Sequence, residues 1–136
     1  MRTPEMSKVA PKLLLIDDEP ALAAFLADAA RMSGFEAIIA TDDEAFKSLF
    51  QADRPQMVAL DLGMPGMDGV ELLRFLAGED YRLPVLIISG FDRRVLESAF
   101  NLGEALGLRM AGPLEKPTRL EDIEQLLKNL RPSLVP

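Results

Sequence analysis

Five times along the chain, a short unbroken apolar run is followed by a segment whose apolar residues fall at helical spacing. Leu13 to Ile16 leads to Leu22, Phe25, Leu26 and Ala29, an i, i+3, i+4, i+7 series that defines one helix face. Glu19-Pro20 is expected to start that helix and Gly34 to end it. Ala37 to Ala40 leads to Ala45, Phe46, Leu49 and Phe50, with Thr41 or Asp42 placed to cap the helix. Met57 to Leu60 leads, through a Gly- and Pro-rich loop, to Val70, Leu72, Leu73 and Leu76. Val85 to Ile88 leads to Val95, Leu96, Ala99 and Leu102. A weaker run, Leu108 to Leu114, precedes a closing stripe of Leu120, Ile123, Leu126, Leu127 and Leu130.

Half-exposed strands alternate apolar and polar residues, and these runs do not. Uniformly apolar strands separated by helices predict an α/β fold, a five-stranded parallel sheet covered on both faces. The helix stripes and most Met residues are then core rather than cofactor ligands. At 136 residues the chain is sized for one domain, with residues 12–130 as that domain and 1–11 and 131–136 as loose tails.

Composition removes several classes of function. Fifteen Lys and Arg against 22 Asp and Glu give a net charge of −7, which repels a nucleic-acid backbone, so no direct nucleic-acid binding is expected. The apolar runs are too short to span a membrane, and the N-terminal stretch lacks the apolar centre of a signal peptide. With no cysteine, thiol chemistry is out and a cytoplasmic location is expected. Histidine is absent too, so neither His-based acid/base catalysis nor His metal ligation is open to this chain.

In a doubly wound sheet, ligands bind at the carboxyl ends of the strands, where the strand order reverses. The unusual polar residues fall there. Asp17 and Asp18 end the first strand, Asp61 closes the third, Ser89 ends the fourth, and Lys116 follows the fifth. An Asp after a strand is usually a helix cap, so either member of the Asp17-Asp18 pair alone would be unremarkable. Asp61 is different, because it is flanked by Val58-Ala59-Leu60 and Leu62, and an unpaired carboxylate in that setting is costly. Three carboxylates converging on one crevice repel unless a cation offsets them. A hard divalent ion such as Mg²⁺, taking a few carboxylates and completing its shell with water and phosphate, suits that need.

The segments Leu15-Ile16-Asp17-Asp18-Glu19-Pro20, Asp61-Leu62-Gly63-Met64-Pro65-Gly66-Met67-Asp68-Gly69, Ile88-Ser89-Gly90 and Glu115-Lys116-Pro117 resemble the receiver domains of bacterial two-component response regulators, in the CheY-like superfamily. The similarity runs over about residues 12 to 130. It implies a flavodoxin-like strand order, 2-1-3-4-5. It also implies that Asp61 is the phosphoacceptor, and that Mg²⁺ is held by Asp18, Asp61 and the backbone carbonyl of Gly63, with Asp17 bound directly or through water. Ser89 would bond a phosphoryl oxygen, and Lys116 would pair with the carboxylate and then with the phosphoryl group. The Lys116–Pro117 peptide would be cis.

By the same resemblance, the phosphoryl group comes from a phosphohistidine on a sensor histidine kinase or a histidine phosphotransfer protein. The protein catalyses only its own phosphorylation and dephosphorylation. A homodimer or an output domain would read the face formed by the fourth helix, fifth strand and fifth helix. One position departs from the family: receivers usually carry Tyr or Phe three residues before the fifth-strand Lys, and Pro113 stands there. The usual aromatic switch is therefore absent, and coupling through Phe91 and the start of helix four, near Asp92 and Arg93, is the expected substitute. With glycine at positions 63 and 90, water should reach the site, giving a phosphoryl lifetime of minutes.

Three other readings remain. A Mg²⁺-dependent phosphatase with an aspartyl nucleophile would carry a second Asp two residues after the first, where Gly63 stands. A flavin or nucleotide binder needs a phosphate loop after the first strand, and Asp17-Asp18-Glu19-Pro20 would repel one. A receiver-like adaptor working without phosphorylation is the third.

Overall fold

A computed structural model describes residues 10–17, 19–62, 69–89, 93–115 and 119–131. Five strands, β1 (Lys12–Ile16), β2 (Glu36–Ala40), β3 (Met57–Asp61), β4 (Pro84–Ser89) and β5 (Arg109–Glu115), alternate with five helices. The helices are α1 (Pro20–Met32), α2 (Asp43–Ala52), α3 (Gly69–Gly78), α4 (Arg93–Ala105) and α5 (Leu120–Leu130). All strand pairs are parallel and lie in the order β2-β1-β3-β4-β5, the doubly wound arrangement that the apolar runs and the resemblance lead one to expect.

The sheet separates two cores of different composition. Leu13, Leu15, Met57, Ala59, Leu86 and Ile88 meet the alanine-rich face of α1 and Ile123 and Leu127 of α5. The small Ala23, Ala27, Ala29 and Ala30 let α1 lie close to the sheet. Leu14, Ile16, Val58, Leu60, Val85 and Ile87, the alternate positions of the same strands, meet Phe46 and Phe50 of α2, Leu72, Leu73 and Leu76 of α3, and Leu96 of α4. Every residue of β3 is buried, as befits the central strand.

Local chemistry sets the element ends. The Asp42 side chain accepts a hydrogen bond from the Ala45 amide at 2.7 Å, so Asp42 rather than Thr41 caps α2. Pro20 opens α1, and Gly34, at φ +93°, turns the chain after it.

The stripes are not uniformly core. Phe25, Leu49, Val70 and Val95 are more than a third exposed, because each sits at the margin of its helix's apolar stripe, where the 3.6-residue period carries a side chain off the sheet-facing direction.

β5 forms an edge of the sheet, and its pairing with β4 shifts register: Leu86 pairs with Ala111 but Ile88 pairs with Leu114, so β5 carries one extra residue. Gly112, at φ +84°, and the cis Gly112–Pro113 peptide lie inside this irregularity. A Cβ at Gly112 would stand 2.8 Å from Leu86 Cδ1, so both the conformation and the space call for glycine. Proline, which lacks an amide donor, is tolerated on such an edge.

Candidate phosphoacceptor site

The register of β1 and β3 sets the geometry of the site. Ile16 pairs with Leu60, so Asp17 and Asp61, the residues that follow them, stand side by side at the carboxyl ends of adjacent parallel strands. Such strands lie about 4.8 Å apart. Asp61 pairs in turn with Ile88 of β4, and the Leu62 amide donates to the Ile88 carbonyl at 2.9 Å, so the backbone at Asp61 is held on its β4 side, while Leu60 before it is paired to β1.

Both carboxylates are buried, Asp17 at 1% and Asp61 at 2% relative exposure. Asp17 is held in place by its own turn. Its amide donates to the Ala40 carbonyl at 3.3 Å, continuing the β1–β2 pairing, and its Oδ1 accepts from the Glu19 amide at 3.0 Å. That second bond does the capping work at the head of α1, because Glu19, the N-cap residue itself, makes no side-chain cap bond. Asp17 therefore combines the local structural role common to an Asp after a strand with a place at the crevice.

Two buried negative charges at one strand end repel each other, and a cation at that end offsets both. The donor set is carboxylate oxygen, which fits a hard ion such as Mg²⁺. Among the described residues no group of three His, Cys, Asp or Glu side chains gathers as a metal site; Asp17 and Asp61 are the buried carboxylates among them. Asp18, Gly63 and Lys116 lie outside the described residues, as do Phe91, Asp92 and the Lys116–Pro117 peptide. Ser89, the last residue of β4, is described in its backbone, which pairs with Glu115 on β5. The sheet order thus brings the ends of β1, β3 and β4 together in the expected sequence.

One contact beside the site has no signature in the local sequence. Arg93, the first residue of α4, donates from Nη2 to Glu115 Oε1 at 2.7 Å, joining the helix to the last residue of β5. The pair spans 22 positions and depends on the β4–β5 register, including its irregularity, so nothing local in the sequence announces it.

Comparison with known proteins agrees with this geometry. Residues 13–128 match the family described as response regulator receiver domain. The C4-dicarboxylate transport transcriptional regulatory protein DctD of Pseudomonas aeruginosa is 38% identical over 90 residues, which are 62% of this chain and 20% of that protein. The transcriptional regulatory protein TrcR of Mycobacterium tuberculosis is 29% identical over 119 residues, 88% of this chain and 44% of that one. The chain thus spans less than half the length of these curated relatives. Among solved structures, a response regulator from Colwellia psychrerythraea superposes with a TM-score of 0.79 at 27% identity, covering 92% of this chain and 99% of that one. The chemotaxis response regulator CheY4 of Vibrio cholerae shares the fold, with a TM-score of 0.75 at 20% identity and coverage of 90% and 99%. A matched family, a strand order of 2-1-3-4-5 and a buried acidic pair at the carboxyl ends of β1 and β3 converge on one assignment: the chain belongs to the response regulator receiver domain family of two-component signalling.

Proposed function

We propose that Asp61 accepts a phosphoryl group, with Mg²⁺ as the cation of the site, and that the domain signals through the resulting change in its surface. The observation that carries this reading is the register-enforced adjacency of Asp17 and Asp61, both buried, at the carboxyl edge of the sheet.

A carboxylate oxygen of Asp61 attacks the phosphorus of the donor. The new O–P bond forms as the bond to the leaving imidazole or acetate breaks, and the product is an acyl phosphate. Pairing of Leu60 with Ile16 and of Asp61 with Ile88 holds the backbone that carries the nucleophile, so little reorganisation is needed when the donor arrives. Bound Mg²⁺ would supply charge compensation to the carboxylates and to the transferring oxygens. Asp18, Asp61 and the Gly63 carbonyl would hold the ion, with Asp17 bound directly or through water; Ser89 would bond a phosphoryl oxygen and Lys116 would pair with the carboxylate and then with the phosphoryl group. This chain carries no histidine, and the donor would be a phosphohistidine on a sensor histidine kinase or a histidine phosphotransfer protein. Hydrolysis by water at phosphorus returns the carboxylate and resets the switch, so the domain acts on itself rather than turning over an external substrate. The changed surface, α4, β5 and α5, would be read by a second copy or an output domain.

The test is intact-mass spectrometry after incubation with acetyl phosphate and Mg²⁺. The wild-type chain gains one phosphoryl group and Asp61→Asn gains none. Equal labelling of the variant sinks the assignment.

A further inference from the structure

The two edges of the sheet are finished differently. β5 carries an extra residue, Gly112 at φ +84°, and Pro113, which has no amide to donate, so that edge is unsuited to receiving a further regular strand. β2, with the sequence Glu-Ala-Ile-Ile-Ala, has no bulge, proline or lysine. The Glu36 amide donates to the Pro11 carbonyl at 2.8 Å, and the Ala40 carbonyl accepts from the Asp17 amide at 3.3 Å. The backbone groups of Glu36, Ile38 and Ala40 therefore face β1, and those of Ala37 and Ile39 face the open edge. One of these four outward groups is taken. Arg31 Nη2 donates to the Ala37 carbonyl at 3.4 Å, while Nη1 of the same guanidinium pairs with Asp28 at 3.2 Å. Ala37, against which Arg31 lies, is 8% exposed and Ile39, two residues on, is 36% exposed, so one half of the edge is covered and the other is open.

We propose that the β2 edge is a self-association surface for a second copy of this chain, and that Arg31 holds it closed. The symmetry of the strand selects the occupant. Ala37 and Ile39 lie one residue to either side of Ile38, so two antiparallel β2 strands related by a two-fold axis at Ile38 set Ala37 opposite Ile39 of the second copy. Each such pair exchanges two backbone hydrogen bonds, and every outward group of both strands finds a partner. The same register sets Glu36 opposite Ala40, so no like charges meet across the join. Half of the new bonds end on the Ala37 carbonyls, where Arg31 now donates. The net charge of −7 opposes the approach of two copies, and salt screens that repulsion. A five-residue strand makes a small interface, so association is weak even when the edge is open. This surface lies at the opposite edge of the sheet from β5 and does not depend on phosphorylation of Asp61, so its failure would leave the proposed function standing.

Sedimentation equilibrium on the unmodified full chain tests it, over a wide range of protein concentration and in about 0.5 M salt to screen the net charge. Arg31→Ala should lower the dimer dissociation constant by about ten-fold relative to the wild type, the effect of freeing a carbonyl from a charged donor. Adding Ile39→Lys to that variant should restore the wild-type curve, because a lysine on an edge opposes strand addition. Both side chains are exposed, so these variants should fold as the wild type does. Amide exchange then locates the contact. In the Arg31→Ala dimer the Ala37 and Ile39 amides should slow, while those of Ile38 and Ala40, already directed at β1, stay as in the monomer. Superimposable association curves for wild type and Arg31→Ala, a dimer that survives Ile39→Lys, or protection that does not fall on Ala37 and Ile39 would each overturn the proposal.

Discussion

The two ends of the sheet solve the problem of burying polar groups in opposite ways. At the amino end the protein satisfies itself. The Lys12 amide donates to Gln56 Oε1 at 2.6 Å and the Gln56 amide returns a bond to the Lys12 carbonyl at 2.9 Å. Lys12 also pairs with Asp53. The buried Tyr81 hydroxyl donates to the Pro55 carbonyl at 2.9 Å, while its ring meets Phe50 edge-on at 5.2 Å, and Phe50 meets Phe75 at 5.4 Å. The Arg54 guanidinium lies over both Phe50 and Tyr81 and bonds the Glu79 carbonyl. At the carboxyl end the buried groups are like charges, Asp17 and Asp61, set side by side. A stable sheet thus rests on one end and holds at the other the arrangement on which the proposed cation and phosphoryl chemistry rests.

Breaking each end should therefore have a different signature. The largest effect is expected at Asp61: Asn there should abolish phosphoryl uptake. Because the change also removes one of two repelling charges, its melting temperature in metal-free buffer should equal or exceed that of the wild type. A clear fall in stability would mean that Asp61 is structural after all. Next is Phe50→Ala, which deletes a fully buried ring from the amino-end cluster and should cost about 3–5 kcal/mol in denaturant unfolding. The fraction that remains folded should still take up a phosphoryl group. Loss of uptake in that folded fraction would show that the two ends are not separable.

A smaller effect concerns pH. Burial raises the Tyr81 phenol above its ordinary value of 10.0, partly countered by Arg54. A group whose folded pKa is raised contributes stability that is fully present below its unfolded pKa and lost above it. The chain should therefore lose stability as the pH rises past about 10. Tyr81 is the chain's one tyrosine, so phenolate absorbance reports it alone. Tyr81→Phe should remove this alkaline component and cost about 1 kcal/mol at neutral pH through the unpaired Pro55 carbonyl. A phenol that titrates at its ordinary value in the folded chain would contradict the burial argument.

The contrast between the ends also explains what could be read from the sequence. Parallel strands buried on both faces must be apolar throughout, so β1, β3 and β4 stood out as unbroken runs, and Asp61 stood out because a charge next to such a run is costly. Asp17 was legible only as half of a pair, and its bond to the Glu19 amide shows why: an Asp in that position has a local role as well. The amino-end cluster gave no such signal. Phe50 read as one more stripe residue, and Tyr81 follows a turn in which Asp80 takes a φ of +58°, so its place against Phe50 is a product of tertiary packing. The Arg93–Glu115 pair was hidden for the same reason, since it requires the β4–β5 register and the extra residue of β5. Val70 and Val95 looked like core because spacing alone does not mark where an apolar stripe ends.

The most direct test of the central claim, that the carboxyl end calls for a cation while the amino end does not, is the melting temperature as a function of Mg²⁺ concentration. Wild type and Phe50→Ala should both rise, by an amount worth about 2.7 kcal/mol at 100 times the dissociation constant, while the double variant Asp17→Asn, Asp61→Asn should not respond. An equal rise in the double variant, or no rise in the wild type, would contradict the account.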